Sequence, residues 1–213
     1  MKSLRFQLNA KQLAYMFAGI LSIGSIISGY FDPDKRWIEW HFSRLGEGGT
    51  FSSIIFNVTL IISAIIIYLI GIELANGILN IRNISEVAQN RAKNIVSNGL
   101  KVVAGCLVLV SIFPFDRFPV IHNIFGYSML FIFLCICISI VNILPIFSKK
   151  FLIYSYMITL ICVICYTLYL GLKTFSLLTV ELITFVLVFI WLLLFINDIS
   201  GANTTEKLKP NNK

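Results

Sequence analysis

Residues 51–72, FSSIIFNVTLIISAIIIYLIGI, contain no Asp, Glu, Lys or Arg at any position. A helix of about 20 apolar residues crosses the hydrocarbon core of a bilayer, and a segment in lipid must satisfy its backbone hydrogen bonds internally. The run is rich in β-branched Ile, but its length and its lack of strict alternation favour a helix over a strand. It therefore predicts a transmembrane helix.

Five similar runs occupy approximately residues 12–30, 97–114, 122–145, 151–171 and 176–196. The chain is 58% hydrophobic and 13% charged, with a mean hydropathy of +0.88, whereas soluble domains are about 45–50% apolar and 25% charged. We therefore expect an all-α polytopic membrane protein. A six-helix transmembrane bundle would span residues 1–197, and a disordered tail would follow over residues 198–213. The longest connection, 73–96, is interpreted as a solvated linker, with a continued second helix or a surface-lying segment as alternatives.

The basic residues are distributed unevenly between the two ends of this bundle. Twelve fall on the side of the N-terminus: Lys2, Arg5, Lys11, Arg82, Arg91, Lys93, Lys101, Lys149, Lys150, Lys207, Lys209 and Lys213. Five fall on the other side: Lys35, Arg36, Arg44, Arg117 and Lys173. Because basic loops stay in the cytoplasm, both termini are predicted to be cytoplasmic in a plasma-membrane protein. The anionic inner leaflet accounts for the net charge of +7, so no nucleic-acid partner is expected.

The polar side chains that could bind a ligand or take part in a reaction lie on the predicted outer side. They occur in the first outer loop, near the outer ends of the second and sixth spans, and at the start of the fourth span. The candidate ligand-binding residues are His41, Ser43, Arg44, Gly46, Asn57, Asp116, Arg117, His122 and Glu181. Membrane lipids are the expected partners, with a protein partner left open.

Glu181 lies about five residues inside the last span, where a carboxylate costs about 2.5–3.5 kcal/mol to insert. We therefore expect it to face the bundle interior, in one network with His41, Arg44, Asp116 and His122. Two roles remain open for Arg44. It forms a structural ion pair with Glu181 or Asp116, or it holds an anionic ligand beside the glycine turn.

The loop HFSRLGEGGTF, residues 41–51, is predicted to fold back over the outer mouth of the bundle. Phe42, Leu45 and Phe51 would enter the membrane interface, with Trp37 and Trp40 at the headgroup level. Asn57 has two readings, an interhelical hydrogen bond or a ligand contact.

Two stretches carry a family resemblance: HFSRLGEGGTFSSIIFN at 41–57 and SIFPFDRFPVIHNIFGY at 111–127. They resemble the bacterial membrane proteins grouped as domain of unknown function 998, which are similar in architecture to the Frag1/DRAM/Sfk1 proteins. The shared elements are Ser43-x-Leu45-Gly46, Phe56-Asn57, and Phe113-Pro114 before a helix-starting His122. Members often have an acidic residue at the position of Arg44. The resemblance covers roughly residues 12–197 and implies the six-helix fold, with lipid handling by analogy.

Three function classes remain open. The preferred one is a non-enzymatic membrane protein whose outer pocket binds a lipid or anionic ligand, or docks a partner. A lipid-modifying hydrolase or transferase using His41, Asp116, His122 and Glu181 is the first alternative, with Ser43 as a possible nucleophile. A small-solute transporter is the second. No cofactor or metal is expected, because the chain has only two histidines and catalytic zinc sites use three protein ligands.

Overall fold

The computed structural model describes residues 8–39, 41–82, 84–172 and 176–207, which form helices and turns without a strand. Within these described residues, six helices are long and apolar enough to cross a membrane, as the sequence predicted. They are α1 (Ala10–Phe31), α2 (Phe51–Leu79), α3 (Glu86–Ile112), α4 (Pro119–Ile143), α5 (Lys149–Thr167) and α6 (Leu177–Lys207). A π-helical turn, Leu168–Leu172, extends α5.

Side-chain caps set where several helices begin. Asn9, Thr50, Ser85 and Ser148 each accept a backbone N–H from the first turn of the helix that follows. Such caps satisfy donors that have no partner within the helix. Pro119 opens α4, at the position where a missing N–H costs nothing.

Helical structure extends further than predicted in two regions of the chain. The segment 73–96 is mostly helical rather than a solvated linker, because α2 continues to Leu79, as one of the alternatives proposed, and α3 begins at Glu86. Nor does disorder begin at residue 198, since α6 runs to Lys207. Packing explains the second difference: Ile199 is 4% exposed, and Asp198 accepts hydrogen bonds from the backbone N–H and hydroxyl of Ser148. Residues 208–213 lie outside the described residues.

Consecutive helices pack against each other, and α6 also contacts α1 and α2, which closes the bundle. Small residues permit close approach between neighbours. Ser28 in α1 and Ser52 in α2 exchange hydrogen bonds between side-chain hydroxyls and backbone carbonyls at 2.8–2.9 Å. Between α3 and α4, a Cβ on Gly99 would lie 2.6 Å from Ile136 Cδ1. This is the small-residue packing expected where lipid tails provide no hydrophobic drive between helices.

An aromatic cluster joins α4, α5 and α6. The Trp191 ring lies 4.9–5.5 Å from the rings of Phe133, Phe151 and Phe195. Its indole N–H donates to Ser155 Oγ at 2.8 Å, so the buried donor is satisfied. We refer to the end of the bundle with residues 32–50 and 113–118 as the histidine end. The opposite end, with residues 80–85 and 144–148, is the basic end.

Candidate functional site

The loop between α1 and α2 lies across the histidine end rather than extending from it. Phe42–Gly46 form a short 3-10 helix that contacts α1, α2 and α6. Leu45 is 1% exposed and packs inside the bundle. Asn57 Nδ2 donates to the Gly46 carbonyl at 3.2 Å and ties the loop to α2.

The apolar side chains of the loop do not all enter the membrane interface as predicted. Leu45 is instead part of the core, and Phe42 packs edge-on against Phe56. Phe51 is 63% exposed and contacts Phe31, which places it on the bundle surface. Trp40 lies outside the described residues.

A cavity of about 620 Å³ lies beneath this loop and is bordered by all six helices. Its deeper wall is apolar, and includes Phe17, Ile70, Leu100, Phe133 and Leu192. Phe133 is 14 residues into α4, so the cavity extends about 20 Å into the bundle at 1.5 Å per residue. Ile26 and Leu182 line the cavity and are 71% and 46% exposed. The cavity is therefore open to the surroundings on the side of α1 and α6.

Polar groups concentrate at the histidine end of this cavity. Four come from the sequence-predicted set: His41, Ser43, His122 and Glu181. Further polar side chains that were not predicted as ligand contacts also line the cavity, including Trp37, Asn123, Tyr127, Tyr166 and Tyr169. The Trp37 indole N–H is buried and has no acceptor among the described residues. A buried donor left unpaired costs about 1–3 kcal/mol, so this group marks a place where a ligand acceptor would be stabilised.

Glu181 faces the bundle interior as predicted, but its partner differs from the prediction. Its Oε2 accepts the backbone N–H of Phe42 at 2.6 Å. Arg44 Nη2 contacts Asp34 Oδ2 at 3.0 Å, so the predicted ion pair with Glu181 or Asp116 is wrong. The physical reason is proximity along the chain, since both residues belong to the same loop and need no long-range closure to meet.

His41 is 8% exposed and lies between two side chains of its own loop. Its Nδ1 is 3.0 Å from Ser43 Oγ, and its Nε2 is 3.7 Å from Glu47 Oε1. Burial, and then the charges of His122 and Arg44, lower the pKa of His41 below its usual value. Burial raises the pKa of Glu47, although Arg44 partly opposes this. His41 is therefore neutral near pH 7 and retains a lone pair on one ring nitrogen.

The second histidine is held at the start of α4. His122 Nδ1 lies 2.8 Å from the Phe113 carbonyl, so it donates to that oxygen and leaves Nε2 as the acceptor in the neutral ring. The Phe115 ring contacts both imidazoles, with centroid distances of 5.1 Å to His41 and 5.9 Å to His122.

The remaining candidates line a second cleft, of about 250 Å³, on the histidine end. They are Gly46, Asn57, Asp116 and Arg117. The glycine turn has positive φ at Gly48 and Gly49, as its composition suggests. However, the Gly48 N–H donates to Asp116 Oδ2 at 3.2 Å, so the turn binds a carboxylate of its own chain.

The nine candidates thus do not form the single network that was predicted. Four line the cavity, four line the second cleft, and Arg44 pairs with Asp34. The tyrosines in α4 and α5 could have been recognised from sequence as polar groups within apolar runs. Trp37 was interpreted as a headgroup-level residue, and Glu47 was not included among the ligand-binding candidates, because an aromatic residue and an acid are ordinary in a membrane-surface loop.

No family model, curated protein or solved structure matches this chain. Within the described ranges, His, Cys, Asp and Glu side chains form no group of three or more that could hold a metal ion. The resemblance to domain of unknown function 998 therefore stays a prediction, and the site is interpreted from its geometry.

Proposed function

We propose that this protein binds a lipid in the cavity, with an acyl chain along the apolar wall and the polar head at the histidine end. The observation that carries the proposal is the cavity itself. Its volume of about 620 Å³ lies within the roughly 300–1,000 Å³ typical of ligand sites. Its wall is apolar over most of its depth and polar at one end, which matches an amphipathic molecule.

The polar end favours a head that is uncharged and hydrogen-bonding, or cationic. Glu181 supplies a carboxylate, and no Lys or Arg is among the described residues that line the cavity. His41 is buried and neutral near pH 7. An anionic head would be buried in a site of low dielectric without a compensating cation among the described lining residues, which is costly. A hydroxyl or carbonyl oxygen would instead accept the unpaired N–H of Trp37.

The proposed orientation places the histidine end outside the cell. Twelve basic residues against five favour cytoplasmic termini in the plasma membrane. The histidine end of the cavity then lies at the level of the outer leaflet. Lipid would enter between α1 and α6, where Ile26 and Leu182 line the cavity and are exposed. Protease cleavage of a C-terminal tag in intact cells would contradict this orientation.

A pair of glycine substitutions tests the binding. Gly126 lines the cavity, and an added Cβ there meets no atom within 4 Å. Gly126→Phe should therefore fill the cavity from α4 without a clash. Gly105 in α3 has equally open space but is exposed and outside the cavity wall. Gly105→Phe makes the same chemical change and serves as the matched control.

Native mass spectrometry of the purified chain measures the bound lipid. We expect the wild type and Gly105→Phe to retain the same lipid, and Gly126→Phe to bind it at least about tenfold more weakly, which corresponds to about 1.4 kcal/mol. Equal lipid retention by all three proteins would contradict binding in this cavity. Retention of an acidic lipid alone would overturn the proposed class of head group.

A further inference from the structure

We propose that the loop at the mouth of the cavity is an esterase centre, with Ser43 as the nucleophile, His41 as the general base and Glu47 as the residue that orients the base. The proposal rests on the lipid-binding function above, because the acyl chain of the ester would occupy the same cavity. The substrate class is an ester between a long-chain carboxylic acid and an uncharged alcohol.

The three side chains stand in the order that serine-dependent acyl transfer requires. Ser43 Oγ lies 3.0 Å from His41 Nδ1, within the range of a nucleophile–base hydrogen bond. On the opposite side of the ring, His41 Nε2 lies 3.7 Å from Glu47 Oε1. That oxygen is buried and has no hydrogen-bond partner among the described residues. Such contacts are often long without substrate and shorten as the base gains charge.

The two ring nitrogens of His41 can be assigned as one proton acceptor and one proton carrier. If Ser43 donates its hydroxyl proton, Nδ1 is the acceptor and Nε2 carries the hydrogen, which then faces Glu47. The nitrogens are exchanged relative to the usual Ser-His-Asp arrangement, in which Nε2 contacts the serine, but the roles are the same. His41 is 8% exposed, and burial lowers its pKa to about 4, so the ring is neutral at pH 7 but is a weaker base than a free imidazole.

The position of Ser43 gives the triad access to a lipid ester. His41 and Ser43 both line the cavity at its polar end, above the apolar wall that would hold an acyl chain. Trp37 lines the same cavity and has a buried N–H without an acceptor among the described residues.

The reaction balances with water as the only co-reactant. Ser43 Oγ attacks the carbonyl carbon while its proton moves to His41 Nδ1. The carbon–oxygen bond to the alcohol breaks, and the alcohol leaves with that proton. Water then attacks the acyl-Ser43 ester and gives a proton to His41. The carboxylic acid departs as the proton returns to Ser43 Oγ.

Covalent labelling of the full chain in detergent provides the test. The probe is a fluorophosphonate with a long alkyl chain, which bonds to an activated serine oxygen as the P–F bond breaks. We expect peptide mapping of the labelled wild type to place the probe on Ser43. We also expect the protein to hydrolyse a long-chain p-nitrophenyl ester, with Ser43→Ala abolishing both signals. Ser111→Ala is the matched control. It removes another buried serine at the histidine end, whose hydroxyl donates to Val108, and should keep both signals.

Two further variants separate the roles. His41→Asn should slow both labelling and hydrolysis by about 10²–10⁴-fold, the usual contribution of a general base. Glu47→Gln should slow them by at least about tenfold and should change the acid limb of the pH–rate profile.

Mapping of the wild type needs no variant, so a misfolded Ser43→Ala protein does not remove the test. A probe on any serine other than Ser43, or no labelling and no hydrolysis, would overturn the esterase proposal. Retention of lipid by the same wild-type sample, lost in Gly126→Phe, would show that the binding proposal still stands. If Gly126→Phe retains the lipid as well as the wild type does, the result counts against the binding proposal instead.

Discussion

The hydrogen bond between Phe42 and Glu181 gives the most informative single perturbation, because it joins the loop to α6 across 139 positions of sequence. The Phe42 N–H donates to Glu181 Oε2 at 2.6 Å in a partly buried site. Glu181→Leu removes the acceptor and leaves a backbone donor unsatisfied, at a cost of about 1–3 kcal/mol. Glu181→Gln keeps an acceptor oxygen in place, so we expect it to cost less than about 1 kcal/mol.

Thermal unfolding of the purified protein in detergent measures the difference. For a chain of 150–250 residues, 1 kcal/mol corresponds to roughly 2–4 °C in Tm. Glu181→Leu should therefore lower Tm by about 2–12 °C, and Glu181→Gln by less than about 4 °C. The loop should also become more accessible to protease in the Leu variant. If the Leu variant is as stable as the wild type, or if Gln costs as much as Leu, the reasoning is wrong.

Three further predictions concern packing, protonation and charge. Gly99→Ala should lose about 1–3 kcal/mol by overpacking the α3–α4 contact, whereas Gly105→Ala, which meets open space, should not; equal losses would contradict this account. Burial lowers the pKa of His41 below 6.5, so its contribution to stability is present above pH 6.5 and is lost as pH falls below it. His41→Asn should therefore lose less stability than the wild type between pH 7 and pH 5, and identical slopes would refute the assignment. Arg44→Met removes an ion pair whose side chains are 18% and 37% exposed, and the loss of that pair should cost no more than about 1 kcal/mol; a loss above 3 kcal/mol in chemical denaturation would contradict so weak a pair.

The six helices could be predicted from sequence because each apolar run is long and contains few charged residues. These two properties are sufficient to predict a membrane-spanning helix. The extent of α2 and α3 could not. Their ends at Leu79 and Glu86 lie in a polar stretch, where the Ser85 cap rather than hydropathy sets the boundary. The extension of α6 past residue 198 depends on the contacts of Asp198 with Ser148, which no local pattern reveals.

The sequence predicted several residues of the candidate site, but not which residues contact each other. The cost of a carboxylate in lipid placed Glu181 inside the bundle, as the structure confirms. It did not identify Phe42 as the partner, because backbone donors carry no sequence signal. Arg44 had several carboxylates within reach, and the nearby Asp34 was not among those considered. Glu47 was missed because its contact with His41 depends on how the loop turns after Gly46.

Lipid binding in the cavity beneath the loop is tested by a structure of the protein determined in lipid nanodiscs. We expect elongated density along Phe133 and Leu192, ending in a polar head within hydrogen-bonding distance of the Trp37 indole nitrogen. Gly105→Phe should show the same density, and Gly126→Phe should show none. A cavity filled by the protein's own side chains, or empty in the wild type at a resolution that shows annular lipids, would contradict the account.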